Sequence, residues 1–391
     1  VGIAGGKSEC GSQLACPDDS QNPIHAGSTP GAAPAFRNDW AVRHVVKTMA
    51  AAIEFGMDTF GDLTHDLAGQ PVSHAQVVRN VIAEAVLADQ AGLDYAGLGE
   101  HHRDDFAISA PDMVLAAIAA RTEQIRLNTA VTVLSSDDPV RIYERFATLD
   151  AISSGRAEIT LGRGSFIESF PLFGYELTDY EELFEEKLEL FTRLRTSQPV
   201  TWQGKLTQNL DQVSLYPPIE GGPLPTWIAV GGSPESVIRA ARYGLPLMLA
   251  IIGGPHTRFA PFVDLYHRAL AKFGQPELPV GFHSYGHIAA TDEQAREQLY
   301  QPWLAMTGRI GAERGWPRPN REQFVHEIEH GSMLVGSPET VAHKLAGAIR
   351  TLGVSRASLK VSSGTLPHEH LMTSIELYGT RVVPLVRQLL S

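Results

Sequence analysis

The stretch "GLGEHHR" (97–103) ends an apolar run on three titratable side chains, Glu100, His101 and His102. Histidine titrates near neutral pH, which suits it to acid–base work, and both histidine and glutamate ligate transition metals. Adjacent residues of a strand point to opposite faces, so His101 and His102 are badly placed to chelate one ion together. No metal is expected here. Histidines packed and hydrogen-bonded at a rim are the plainer reading, and the residues alone leave it open beside the catalytic one.

Two glycine-flanked stretches read as anion sites. In "GRGSF" (162–166), Gly162 and Gly164 let the backbone approach a flat ligand, while Arg163 offers a fixed fork of donors suited to phosphate. A salt-bridged loop arginine would look the same. In "VGGSPES" (230–236), a strand runs through Gly231 and Gly232 into Ser233 and a helix with Pro234 at its first position. The unpaired amides and positive dipole end of that start favour an anion, and the glycines leave more room than a plain cap needs. His283, Tyr285 and His287 recur at period two and share one strand face, lining a mouth or forming a satisfied polar layer.

Residues so far apart need a scaffold, and the chain supplies repeating units. Strands are expected at 54–60, 95–100, 126–134, 157–162, 226–230, 245–252, 280–290 and 357–363. Helices start between them at Ser73, after Ser109 with Pro111 in the first turn, and at Asp138, Thr291-Asp292 and Ser337. Eight strand–helix units imply an α/β fold of the closed (β/α)8 TIM-barrel type. An open doubly wound sheet normally begins with GxGxxG, which does not occur. Insertions are expected at roughly 165–225 after strand four and 308–335 after strand seven, the second polar, rich in Gly and Pro, and a natural lid. Ligands of such barrels meet the C-terminal ends of strands, where Glu100, Arg163 and Ser233 fall.

Composition narrows the class. The 391 residues carry a formal charge of −12, with a pI near 5.7, which argues against nucleic acid and anionic membrane as main partners. The only two cysteines, Cys10 and Cys16, precede the barrel, so it has neither a disulfide framework nor a thiol nucleophile. No stretch approaches the roughly 18 apolar residues of a membrane span, and the cytoplasm is the default compartment. Residues 1–50 lack periodicity and are rich in Pro, Gly, Ser and Ala. They read as a flexible extension, either a tail or the product of an upstream GTG start, with Met49 just ahead of the first strand.

Taken in order, "FGMDTFGD", "GLGEHHR", "NTAVTVLSSDDPVRIYERFATLDAISSGRAEITLGRGSF", "VGGSPES", "LVGSPETVAHKLA" and "SIELYG" resemble the bacterial luciferase-like monooxygenase family of flavin-dependent oxidoreductases. The likeness spans all eight units. It implies a barrel that binds reduced flavin mononucleotide (FMN) at its mouth, supplied by a separate flavin reductase, and uses O2 to oxidise a small, partly apolar organic substrate. By the same match, His101 is catalytic as acid, base or hydrogen-bond partner, with Glu100 beside the flavin. Arg163 sits in the phosphate loop Gly162–Ser165, and Gly231, Gly232, Ser233 and Ser236 form a second one. Asp58 and Thr59 line the pocket, and a non-proline cis peptide at Ala130–Val131 bulges behind the ring. His283, Tyr285 and His287 become substrate-pocket residues. Luciferase α-subunits carry a reactive cysteine where this chain has Gly162, so light emission is not implied, and the glycine is expected to leave room beside the ring. A homodimer is also implied. The same fold with a deazaflavin coenzyme transferring hydride, or a flavin carrier without turnover, are the alternatives.

Overall fold

Parallel strands must be joined by crossovers, and the chain provides a helix for each. The structure is a computed structural model describing residues 53–164 and 166–391; the expectations for residues 1–50 and for Ser165 lie outside the described residues. The barrel strands are β1 (Glu54–Thr59), β2 (Tyr95–Leu98), β3 (Arg126–Thr129), β4 (Thr132–Val133) and β5 (Ile159–Gly162). After an outlying hairpin, β6 (Val200–Trp202) and β7 (Leu210–Val213), come β8 (Thr226–Val230), β9 (Leu247–Ala250) and β10 (Val280–Ile288). The last two are β11 (Leu334–Gly336) and β12 (Arg356–Lys360).

The third barrel strand is split. β3 pairs with β2 and β4 pairs with β5, the change of partner falling at the cis bond Ala130–Val131. The remaining order runs β2, β1, β12, β10, β9, β8, β5, all parallel, and a bridge between Leu127 and Ala157 closes the ring. β11 extends the sheet beside the far end of β10.

The helices are α1 (His74–Gln90), α2 (Pro111–Ala119), α3 (Pro139–Ser153), α4 (Ser169–Leu172), α5 (Tyr180–Thr196) and α6 (Pro234–Arg242). Then come α7 (Ala260–Lys272), α8 (Asp292–Arg314), α9 (Arg321–Glu329), α10 (Pro338–Leu352), α11 (His368–Leu377) and α12 (Val383–Leu390). Ser73, Asp138, Ser233, Thr291 and Ser337 each accept a first-turn N–H, as their positions predict. Ser109 does not cap α2: Ala110 holds that position without a side-chain bond, and Pro111 begins the helix.

The two insertions need correcting in detail. The range 165–225 contains α5, the barrel's own fourth helix, so only α4 and the β6–β7 hairpin are additions. The range 308–335 is mostly helix, because α8 continues through Pro302 to Arg314 and α9 starts at a capping box on Asn320.

The N-terminal end of the barrel is plugged. Tyr95, Trp227 and Met248 pack there around the Arg356 guanidinium, which lies 3.5 Å from the Tyr95 ring centre and forms an ion pair with buried Glu158. The plug explains two strand glycines. A Cβ on Gly56 would meet the Tyr95 ring at 2.4 Å, and one on Gly281 would meet the Met248 sulfur at 2.7 Å. Among the described residues no helix is long and apolar enough to cross a membrane.

Candidate active site

Above the plug, the C-terminal strand ends surround a cavity of about 1240 Å³. Its floor carries a histidine–carboxylate hydrogen bond and a lysine–carboxylate ion pair. His283 Nδ1 donates to Asp58 Oδ2 at 2.6 Å, both side chains nearly inaccessible, and the Phe60 ring stacks 5.8 Å from the imidazole. Lys360, at the end of β12, donates to Asp62 Oδ2 at 3.1 Å and to Ser362, while Gly364 N–H donates to Asp62 Oδ1. Burial pushes the Asp62 carboxyl up, but Lys360, Ser362 and Gly364 outweigh it and hold the acid below its usual range. Burial draws the Lys360 ammonium down against the pull of Asp62.

The glycines of "GLGEHHR" make this floor possible. A Cβ on Gly97 would strike Asp58 Oδ1 at 2.1 Å, and one on Gly99 would strike the Phe60 ring at 2.6 Å. His101 does not line the cavity. Its ring sits behind the wall against Phe106 (4.3 Å), Phe60 (4.8 Å) and Phe166 (5.4 Å), with Nε2 buried and without a partner. Burial pushes its pKa down to about 3, so a histidine expected to titrate near 6.5 is neutral at physiological pH. His102 turns the other way, to Glu100 Oε1 at 3.1 Å and the edge of Phe173. Glu100 in turn accepts Val133 N–H at 2.9 Å and braces β4 just past the cis bond. Glu100, Thr59, Ser233 and His287 also lie off the cavity wall: Thr59 accepts Gly61 N–H, and His287 bonds Gln298 at 2.8 Å.

On the wall are Asp58, Ala130, Val131, Gly162, Arg163, Gly164, Gly231, Gly232, Ser236, His283 and Tyr285. The room expected beside Gly162 is taken: a Cβ there would meet Val131 at 2.6 Å, so the glycine accommodates the bulging strand. Arg163 pairs with Glu181 and lies 5.1 Å from the Tyr180 ring centre. Gly232 has φ +113°, open space surrounds a Cβ at Gly231, and Ser236 Oγ is buried without a partner at the start of α6. These residues form a concave wall on which Ser236 Oγ has no partner. Ser233 caps α6 and donates its hydroxyl hydrogen to Glu235 Oε2 at 2.8 Å.

Sequence reasoning missed Lys360 and Asp62, although a lysine inside the apolar run "ASLKV" was a visible signal. It also missed His326-Glu327-Ile328-Glu329-His330, an HExxH pattern spanning the end of α9 and its C-cap residue. The two rings lie 5.1 Å apart, but among the described residues no three ligand-type side chains converge on a common point.

Residues 54–356 match the family model for luciferase-like monooxygenases. The chain belongs to the luciferase-like monooxygenase family. Among solved structures, the monooxygenase RslO1 from Streptomyces bottropensis is similar with 25% identity and a TM-score of 0.72, covering 85% of this chain and 99% of that one. The oxygenating constituent of 3,6-diketocamphane monooxygenase from Pseudomonas putida, in complex with FMN, superposes with a TM-score of 0.70 at 17% identity (85% and 98% covered). Coenzyme F420-dependent tetrahydromethanopterin reductase from Methanopyrus kandleri shares the fold at 0.63 and 19% (85% and 99%).

Proposed function

We propose that this chain is the oxygenase of a two-component system that takes reduced FMN from a separate reductase and inserts oxygen into an organic substrate. The observation that carries the reading is the cavity, with its donor cradle on the α6 side and its buried acid–base floor opposite. Reduced FMN supplies the two electrons that split O2, one oxygen entering the substrate and the other leaving as water.

Arg163, Gly231, Gly232 and Ser236 hold the phosphate, through a guanidinium, backbone amides and a hydroxyl. For Arg163 this means exchanging Glu181 for the phosphate, a swap of one anion for another. Val131 and Ala130 back the ring system. Asp58 fixes His283 with Nδ1 protonated, which leaves Nε2 as the ring nitrogen that takes or gives a proton in the cavity. His101 shapes the wall through Phe60 and Phe106.

The test is an anaerobic titration with reduced FMN, riboflavin and a deazaflavin coenzyme, followed by admission of O2. Reduced FMN binds and reacts, and Arg163→Ala weakens FMN about tenfold while riboflavin changes little, because one charge-assisted bond contributes about 1.5–3 kcal/mol. Preference for the deazaflavin with no O2 uptake overturns the reading. Reoxidation of bound FMN in the presence of substrate addresses the dyad: His283→Asn slows it roughly a hundredfold or more, the usual scale for a lost acid–base group, whereas His101→Asn changes it little.

A further inference from the structure

The cavity is larger than its cofactor requires. A pocket for one drug-sized ligand occupies about 300–1,000 Å³, and this one reaches about 1240 Å³. The surplus lies under an apolar wall that borders the cradle only where Phe259 and Phe262 lie 3.9 Å from a Cβ placed on Gly232. α8 contributes Trp303, Met306 and Ile310, the turn after it contributes Trp316, and the start of α7 contributes Phe259 and Phe262. Trp316 stays 50% exposed and Ile252, also in the lining, 56%. Large apolar groups left facing water at a cavity rim mark a binding surface.

Charge on this wall is balanced. Arg258 and Arg314 face it together with Glu322 and Glu327. The Arg314 guanidinium lies 5.3 Å from the Trp316 ring centre and 5.8 Å from that of Phe166, so it sits over flat faces. Glu327 accepts Gly254 N–H at 3.3 Å. An excess of arginines would select an anion, and an excess of carboxylates an amine. Neither is present.

We infer that the substrate is an uncharged, bulky, multi-ring organic molecule that stacks and packs on the α8–α9 wall while its reacting edge reaches His283 and Tyr285. This rests on the FMN oxygenase reading for the identity of the first ligand. A small alkanesulfonate or a polycarboxylate would leave the apolar wall wet and find no surplus of positive charge. A thin alkyl chain would fill the volume poorly and lose more rotational freedom on binding.

Isothermal titration of the FMN-loaded protein with hydroxyanthraquinone, progesterone, decanal, hexanesulfonate and citrate tests the inference. The two ring compounds bind, decanal binds at least tenfold more weakly, and the two anions do not bind. Trp316→Ala and Ile310→Ser weaken the ring compounds about tenfold, the scale of losing one large apolar contact, with FMN affinity unchanged. Trp316 is half exposed, so its loss does not threaten folding. Decanal or hexanesulfonate binding as tightly as the ring compounds overturns the inference, as do ring affinities indifferent to both variants. A ring compound that displaces FMN overturns the partition into two ligands. Failure of FMN to bind, read in its own titration, counts against the oxygenase reading; ring-compound binding to the FMN-free protein that both variants weaken then still supports the wall.

Discussion

At the scale of single residues, His101 is held neutral by the aromatic side chains around it, and this has a measurable consequence. Its folded pKa is about 3, against roughly 6.5 in the unfolded chain; His256 and His287 are likewise pushed down by burial to about 4. Below pH 6.5 the unfolded chain binds protons that the folded chain refuses. The stability these histidines allow is therefore complete above pH 6.5 and is lost as the pH falls toward 3 to 4. His101→Phe keeps an apolar ring among Phe60, Phe106 and Phe166 and removes one such group. Between pH 7.5 and 5 the wild type should lose on the order of 2 kcal/mol more than this variant in urea unfolding. Parallel pH profiles would show that His101 is solvated.

At the scale of elements, Arg103 fastens three pieces of the mouth. It donates to Asp105 at 2.9 Å in its own loop, to Glu168 at 2.7 Å beside α4, and to Glu313 at 2.6 Å near the end of α8. Its guanidinium also covers the Phe166 ring at 4.3 Å, and Arg309 adds bonds from α8 to Asp104 and Asp105. Arg103→Met should raise hydrogen exchange roughly tenfold or more around residues 308–320 and 166–176, since charge-assisted bonds there are lost, while the barrel strands stay protected. Uniform loosening, or none, would show that the clasp is not local.

The helix starts were legible because their signals are local: Asp138 followed by Pro139, or Ser337 followed by Pro338, states a helix start within two residues. The α8–α9 wall was less legible. Gly308 and Gly311 fall in the stretch expected to be a polar lid, yet α8 runs through both because tertiary packing outweighs propensity. The site divided the same way. Gly231–Gly232 ahead of a helix marks a stretch that does line the cavity, whereas Lys360 meets Asp62 across 298 residues, a distance no pattern in the chain spans. His287 shares the period of His283 and Tyr285, but β10 is long enough to carry it beyond the cavity to Gln298.

At the scale of the molecule, stability and chemistry occupy opposite ends of the barrel. Arg356 and Glu158 are an almost wholly buried pair at the plugged end. Arg356→Met leaves the Glu158 charge with only the looser 3.8 Å contact of Arg126 and should cost about 3–5 kcal/mol, whereas adding Glu158→Gln should restore much of it. FMN affinity should stay within about twofold in every variant that folds, because the cradle is at the other end. A large loss of FMN binding in a folded Arg356→Met protein would mean that the two ends communicate.

The plug also makes the barrel a chamber with no rear exit. Two guests that share it must queue, and the one seated deeper cannot depart before the one nearer the mouth. On the oxygenase reading, a spent cofactor seated beneath a lingering product would be trapped, and the proposed reductase would wait outside. Turnover in such a chamber is a matter of scheduling, set by how quickly the outer guest releases the apolar wall.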